Sequence, residues 1–391
     1  MLSYGLLDLP LWGYFLLTAV MVHVTVMGVT LYLHRDQTHR GLDLHPAIRN
    51  FFRLWLWMST GMITKEWVAV HRKHHARCET EEDPHSPVVL GLRKVLLEGA
   101  ELYRAEADNP ETLEKYGRGT PDDWIERNIY ERYTRLGVAL MLVIDVVLLG
   151  LPGLTVWAVQ MVAIPVLAAG VINGLGHAIG YRNFECRDAA TNVLPWGVLM
   201  GGEELHNNHH AFPSSAKFNL RPWEFDIGWV YISVLSKLGL AKIRRVAPTP
   251  VIASERSHID LETVRALVIN RLHVLRDYSR HVMTPVFKQE LRASGNRMLA
   301  RARALLHREP RLLDEHAQNR LEQALAESQQ LRTVYEFRQR LQALWETTAQ
   351  NNERLVQQVK EWCVQAEQTG IHALEEFAQR VRKYSMAHRT A

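Results

Sequence analysis

The chain has 391 residues, enough for two or three domains, and its formal net charge of +4 is too mild to call for a nucleic-acid partner. Three scattered cysteines, Cys78, Cys186 and Cys363, exclude a disulfide scaffold or a CxxC site and read as ordinary thiols. The mean hydropathy of −0.16 resembles that of a soluble protein, but it averages an apolar stretch up to about position 240 with a tail dense in Arg, Glu, Gln and Lys.

The opening MLSYGLLDLPLWGYF lacks the basic start and small-residue cleavage site of a secretory signal, so the first apolar run is expected to be kept. Positions 11–33 hold 23 residues without Asp, Glu, Lys or Arg. At about 1.5 Å per residue they cross a hydrocarbon core of about 30 Å. HRDQTH follows, with His34 and His39 five apart and so about 140° apart round a regular helix. They reach one centre only if the helix ends or loosens there, which Gly41 and Pro46 favour.

The next apolar stretch is interrupted by Arg53 and followed by Lys65, Glu66 and Trp67. If His34 and His71 serve one site, the chain between them cannot cross a membrane an odd number of times. Residues 48–70 therefore read as an interfacial or re-entrant helix, with Trp55, Trp57 and Trp67 suited to the headgroup region. Residues 78–134 are polar, with helix-like pieces. Positions 136–152 and 154–179 read as two further spans, and the LPG between them as the turn of an antiparallel hairpin. His23 and Asp145 would lie at equal depth, where a hydrogen bond between them is expected. Gly170, Gly174, Gly176 and Gly180 permit close helix packing.

A linker at 246–256 separates the apolar part, 1–245, from 257–391, where leucines at helical spacing and charged faces predict a soluble helical bundle. Arg35, Arg40, Arg49, Arg72, Lys73 and Arg77 place the histidine side in the cytoplasm. The expected architecture is an all-α membrane protein. A few transmembrane helices and an interfacial helix are capped by a cytosolic helical domain with a histidine-rich di-metal site, and a C-terminal helical extension follows.

The chemistry is carried by HRKHH at 71–75 and HNNHH at 206–210. Positions i, i+3 and i+4 share a helix face, so His71, His74 and His75, like His206, His209 and His210, each point to a common centre. His177 ends the last span, one turn after Asn173. One HxxHH box is most often a solvated face or a zinc site, but three boxes beside membrane spans on one side call for metal. Three or four histidines satisfy one zinc ion, so eight or nine imply two ions. Imidazole ligation suits iron, copper or zinc, and affinity alone favours the last two.

HRDQTH, HRKHHARCETEEDPHSP and EELHNNHHAFP resemble the three histidine boxes of the membrane fatty acyl desaturases. The closest likeness is to the Δ9 acyl-CoA (stearoyl-CoA type) branch and its bacterial members, whose extra Asn-x-x-x-His is matched by NGLGH. The likeness spans roughly residues 5–245. It implies a di-iron centre held by His34, His39, His71, His74, His75, His177, His206, His209 and His210, with Asn173 reaching an iron through water. Asp83, His85 and Glu203 are candidates to orient those histidines, with Glu204 beside them.

The resemblance further implies O2 as co-substrate, a cis double bond at Δ9, and a separate electron-transfer chain, a ferredoxin or small cytochrome with its NAD(P)H reductase. A bacterial member is expected as a multi-pass protein of the inner membrane with a cytoplasmic active site. The chain departs from the animal enzymes in having one span before His34. Gly170 stands where they place a tryptophan beside the acyl tunnel, so acyl-CoA and phospholipid both stay open as carriers. Trp55, Trp57 and residues 166–172 are the expected tunnel wall. The tail lies outside this likeness, and its leucine and aromatic pattern resembles helical parts of some transposases. Three other readings use the same histidines: a di-iron alkyl or acyl hydroxylase, a zinc-dependent membrane hydrolase, and non-enzymatic metal storage or sensing, which would give the apolar helices and Asn173 no obvious purpose. Zinc in a purified sample would not refute iron.

Overall fold

The computed structural model describes residues 5–346 and 352–386 and is mostly helical. It divides into two compact units, one made of the chain up to Arg182 together with Asp188–Ala247, the other of Asn183–Arg187 together with the chain from Pro248 onward.

Among the described residues, α1 (Leu11–Thr38) and α8 (Pro152–Leu175), both in the first unit, are the two helices long and apolar enough to cross a bilayer. Helix α1 does not end near His34. From Gly28 to Thr38 it continues as a π-helix, with His39 N–H donating to the His34 carbonyl and the Thr38 hydroxyl to that of Leu33. The expected loosening is thus a widening of the turn.

After β1 (Leu42–Leu44), the segment expected as one helix over 48–70 is two helices, α2 (Pro46–Thr60) and α3 (Thr64–Arg77). Gly61 breaks them apart by taking φ 67°, the left-handed conformation that glycine adopts without strain. The tryptophans are not left facing outward. Trp57 is buried against Tyr130, Trp67 stacks on the His71 ring, and Trp55 donates to the Thr25 hydroxyl. A short turn, α4 (Pro87–Leu90), and α5 (Leu92–Ala107) and α6 (Pro110–Tyr116) follow.

Helix α7 (Thr134–Leu149) is apolar but 16 residues long, and it joins α8 through a turn at Gly150 and Leu151; Pro152 and Gly153, expected within the turn, are instead the first residues of α8. Its Asp145 does not meet His23. The carboxylate accepts from the Gln160 amide at 2.8 Å, while His23 lies 3.1 Å from the Tyr231 hydroxyl. Each found a partner on a neighbouring helix, as burial demands of Asp145, but not the one of equal depth.

Pro165 has no N–H to offer, and from there to Leu175 α8 also widens into a π-helix. Glycines let α5 lie against it. A Cβ on Gly99 would stand 2.5 Å from the Ala169 carbonyl, and one on Gly170 would stand 3.0 Å from that of Leu96. Gly170 therefore serves a helix contact, and the cavity walls described below do not include it.

The chain then passes β2 (Trp196–Gly197), α9 (His206–Ala211), β3 (Phe225–Asp226), α10 (Ile227–Lys237) and β4 (Ala241–Ile243). The short parallel pair β2–β3 and the antiparallel pair β1–β4 fix the loops on either side of α9. Arg35, buried, donates to both carboxylate oxygens of Asp226 and to the carbonyls of Gly201 and Ala216.

The second unit is a bundle of helices running from Leu261–Ile269 to His372–Arg382, with a two-residue strand pair, β5 (Val251–Ile252) and β6 (Tyr384–Ser385), tying its ends. Its core centres on Tyr278, Trp362 and Phe377, and Phe184 packs edge-on against His273.

Candidate metal centre

All nine histidines singled out in the sequence converge, and they sort into two adjoining clusters. One nitrogen each of His34, His39, His71, His75 and His209 lies within 4.8 Å of every other. A second group joins His74, His177 and His210, with His206 Nε2 3.0 Å from His177 Nε2. The boxes do not each serve one centre, as their spacing had led us to expect. The i and i+4 residues of α3, His71 and His75, belong to the first cluster, and the i+3 residue, His74, to the second. Helix α9 reverses this, giving His206 and His210 to the second and His209 to the first. Both centres are thus built across both helices.

His34 and His39 join the same cluster because residues five apart stand nearly above one another in a π-helix. His177 follows directly on the second widened stretch. Asn173 lies in that stretch and lines a cavity wall beside His71 and His206.

Carboxylates fix the rings from behind. The Nδ1 atoms of His34, His74, His177 and His210 lie 2.8, 2.9, 3.2 and 3.2 Å from oxygens of Glu203, Asp83, Glu79 and Asp188. Asp83 and Glu203 were expected in this role; Glu79 and Asp188 were not. Glu79 was visible within the second box, whereas nothing in the sequence marks Asp188. Glu204 instead accepts the backbone N–H groups of Met200 and Gly202, holding the loop before α9. The His85 backbone N–H donates to Asp83 Oδ1, the oxygen that faces His74 Nδ1. Its ring stacks on His74 with ring centres 4.4 Å apart, and neither of the ring nitrogens has a partner among the described residues.

The donor set fits cations. A neutral imidazole carries one N–H, and that of His34 is directed at Glu203, so its Nε2 presents a lone pair. In the first cluster Nε2 atoms face one another at 2.9 Å (His75 and His209), 3.0 Å (His34 and His209), 3.1 Å (His71 and His75) and 3.2 Å (His39 and His71). Lone pairs converging on one point, in numbers the available protons cannot bridge, are the arrangement a metal ion satisfies. His210 Nε2, buried, has no hydrogen-bond partner among the described residues.

Burial, reinforced by neighbouring imidazoles, holds His39, His71, His75, His206, His209 and His210 well below the usual histidine range, so they are unprotonated and ready to bind. His74 differs: burial opposes its charged form, but Asp83 outweighs burial and raises it. Burial likewise works against ionised Asp83, yet His74 brings it down to about 2, while burial pushes Glu79 up to about 7.

Two cavities meet the clusters. One of about 300 Å³ runs from His71 and Asn173 past Ala168 to Met62, Val138 and Met161. A smaller one, about 50 Å³, lies between Val26, Ile172 and Met200. Both share Trp67, His71, Ile164, Ala168 and Asn173, so apolar space extends to either side of the histidines. The 166–172 segment forms wall as expected; Trp55 and Trp57 do not.

A family model described as fatty acid desaturase matches residues 10–225, and one described as transposase matches residues 261–388. Delta-9 acyl-lipid desaturase 1 of Arabidopsis thaliana is 31% identical over 235 residues, 59% of this chain and 74% of the relative. An sn-1 stearoyl-lipid 9-desaturase of Anabaena variabilis is 31% identical over 220 residues, 55% and 77% of the two chains. An acyl-CoA 5-desaturase of Anemone leveillei is 30% identical over 247 residues, 59% and 71%.

Proposed function

The chain belongs to the fatty acid desaturase family, and from that premise we propose that it is an O2-dependent di-iron enzyme placing a cis double bond, at Δ9, in a saturated acyl chain. The observation that carries this reading is the pair of interleaved histidine clusters opening onto apolar space. An iron pair acting with O2 would supply the oxidising power to take two hydrogens from unactivated methylenes, which no side chain can do.

The chain's own residues do the placing. His34, His39, His71, His75 and His209 hold one ion; His74, His177, His206 and His210 hold the other, with Asn173 reaching it through water. Glu203, Asp83, Glu79 and Asp188 lock the rings in orientation. Ile164, Ala168 and Met161 line the space that excludes water and fixes which carbons lie against the metals.

The Arabidopsis and Anabaena relatives are named for lipid-bound chains and the Anemone relative for an acyl-CoA. The reading here takes a glycerolipid as carrier, with acyl-CoA as the second choice. It assigns catalysis to residues 1–245 and leaves 257–391 as a cytosolic helical extension. The apolar part sits in the bacterial inner membrane with its histidines on the cytoplasmic side, fed by a separate ferredoxin or cytochrome.

Expression in a host of defined lipid content, followed by fatty-acid profiling with and without oxygen, tests the proposal. A new monounsaturated chain that depends on oxygen and vanishes in His206→Ala is expected. A hydroxylated lipid in its place, or turnover supported by zinc without oxygen, would refute it.

A further inference from the structure

Cys78, read from the sequence as an ordinary thiol, lies against the second histidine cluster. Helix α3 ends at Arg77, and Cys78 turns out of it at φ −48° and ψ 125°. Its Sγ stands 3.9 Å from His74 Nε2 and 4.0 Å from His177 Nδ1. That sulfur and one nitrogen each of His74, His177 and His210 lie within 4.8 Å of one another.

An independent observation points to the same spot. The His210 side chain is 1% exposed, its Nδ1 faces Asp188, and its Nε2 has no hydrogen-bond partner among the described residues. His74 Nε2 is likewise the nitrogen left over once Asp83 has taken Nδ1. His177 turns Nδ1 towards Glu79 and, at 4.0 Å, Cys78, and Nε2 towards His206. Nitrogen and sulfur bound at about 2.1 and 2.3 Å to one tetrahedral ion are roughly 3.6 Å apart. The gap from Cys78 Sγ to His74 Nε2 needs to close by only a few tenths of an ångström.

We propose that Cys78 is a sulfur ligand of the second ion, giving that half of the centre a mixed nitrogen and sulfur donor set where the other half has imidazole alone. The inference rests on the reading that the histidines hold two ions. Binding forms a metal–sulfur bond and breaks the S–H bond, whose proton passes to solvent; nothing is oxidised or reduced. Thiolate is a soft donor, so the second half favours zinc or copper(I) over ferrous iron more strongly than the first half does.

The test uses the full-length protein, stripped of metal by chelation, refilled with cobalt(II) and read by absorption. Expected are ligand-field bands together with a near-ultraviolet thiolate-to-cobalt charge-transfer band that disappears in Cys78→Ser and persists in the double variant Cys186→Ser/Cys363→Ser. Zinc bound at one of the two sites should weaken on the order of tenfold or more in Cys78→Ser, as for other ligand-shell losses.

Ligand-field bands without the charge-transfer band, or a charge-transfer band that survives Cys78→Ser, overturn the assignment and leave the histidine centre standing. Absence of both kinds of band overturns the centre and the assignment together. Should Cys78→Ser not fold, alkylation of Cys186→Ser/Cys363→Ser decides the matter. Saturating zinc should slow labelling of the remaining thiol on the order of tenfold, and an unchanged rate refutes ligation.

Discussion

Replacing Arg35 by methionine probes how the first histidine box is tied to the chain around the third. Neither the guanidinium nor its partner carboxylate is exposed. Arg35 donates to the two oxygens of Asp226, each at 3.0 Å, and to the carbonyls of Ala216 at 2.9 Å and Gly201 at 3.0 Å, and it lies 3.8 Å over the Phe218 ring. In Arg35→Met the buried carboxylate keeps the Phe218 and Trp229 backbone donors and loses its counter-charge.

Breaking one side of a buried pair costs about 3–5 kcal/mol. The donors that remain on Asp226 pull this down, and two stranded carbonyls raise it by roughly 1 kcal/mol each, so about 4 kcal/mol is expected. For a unit of this size that is a fall in Tm of about 8–16 °C, followed by tryptophan fluorescence in detergent. Arg35→Lys should recover little, because an ammonium cannot reproduce the bidentate fork. Combining Arg35→Met with Asp226→Asn removes the stranded charge, and the loss should fall short of the sum of the singles by about 2 kcal/mol. If the losses add within about 0.5 kcal/mol, the two residues are not coupled and the reasoning fails.

Asp188→Ala removes the acceptor behind His210 and should weaken metal binding about 10–100-fold with little change in helix content, which a chelator competition with circular dichroism would detect. Val138→Phe narrows the far end of the larger cavity, so the preferred chain should shorten, with longer chains losing on the order of tenfold or more in relative turnover; an unchanged product profile would mean that the chain lies elsewhere. In the metal-free protein, His39, His71, His75, His206, His209 and His210 are among the histidines whose pKa values are lowered below the ordinary 6.5. Below that pH the unfolded chain takes up protons that the folded chain refuses. Their contribution is therefore complete above about pH 6.5 and drains away as the pH falls towards the folded values. His74 has the opposite sign, its raised pKa adding stability at low pH that is lost as the pH rises. The lowered histidines outnumber His74 and leave the stripped protein acid-labile, and a melting temperature that stays level down to about pH 5.5 would count against the buried, neutral cluster.

The clustering of the histidines was legible because an i, i+3, i+4 pattern survives any tertiary arrangement of its helix. Their allocation to two centres was not, since it depends on how α3 and α9 face each other, and nothing local records that. The five-residue gap between His34 and His39 announced a departure from regular helix without saying whether the helix would stop or widen. Chain separation hid the partners of His23, Asp145 and His210. The break at Gly61 could have been found, since glycine followed by Met62 and Ile63 splits an otherwise helical pattern, but the apolar run on both sides masked it. Trp57 and Trp67 carry packing contacts that the sequence did not announce, with Tyr130 and the His71 ring.

Two helices that each feed both halves of the centre leave neither half with a private set of donors. With two ions bound as proposed, a cation seated in one half would pin α3 against α9 and so set most of the other half's donors in place before its own ion arrives. Loading should therefore be steep in metal concentration, with singly filled molecules scarce, and the ions should leave together when the clamp opens. A lesion in either helix reaches both halves at once, so neither helix can be altered piecemeal while the other keeps half an active protein.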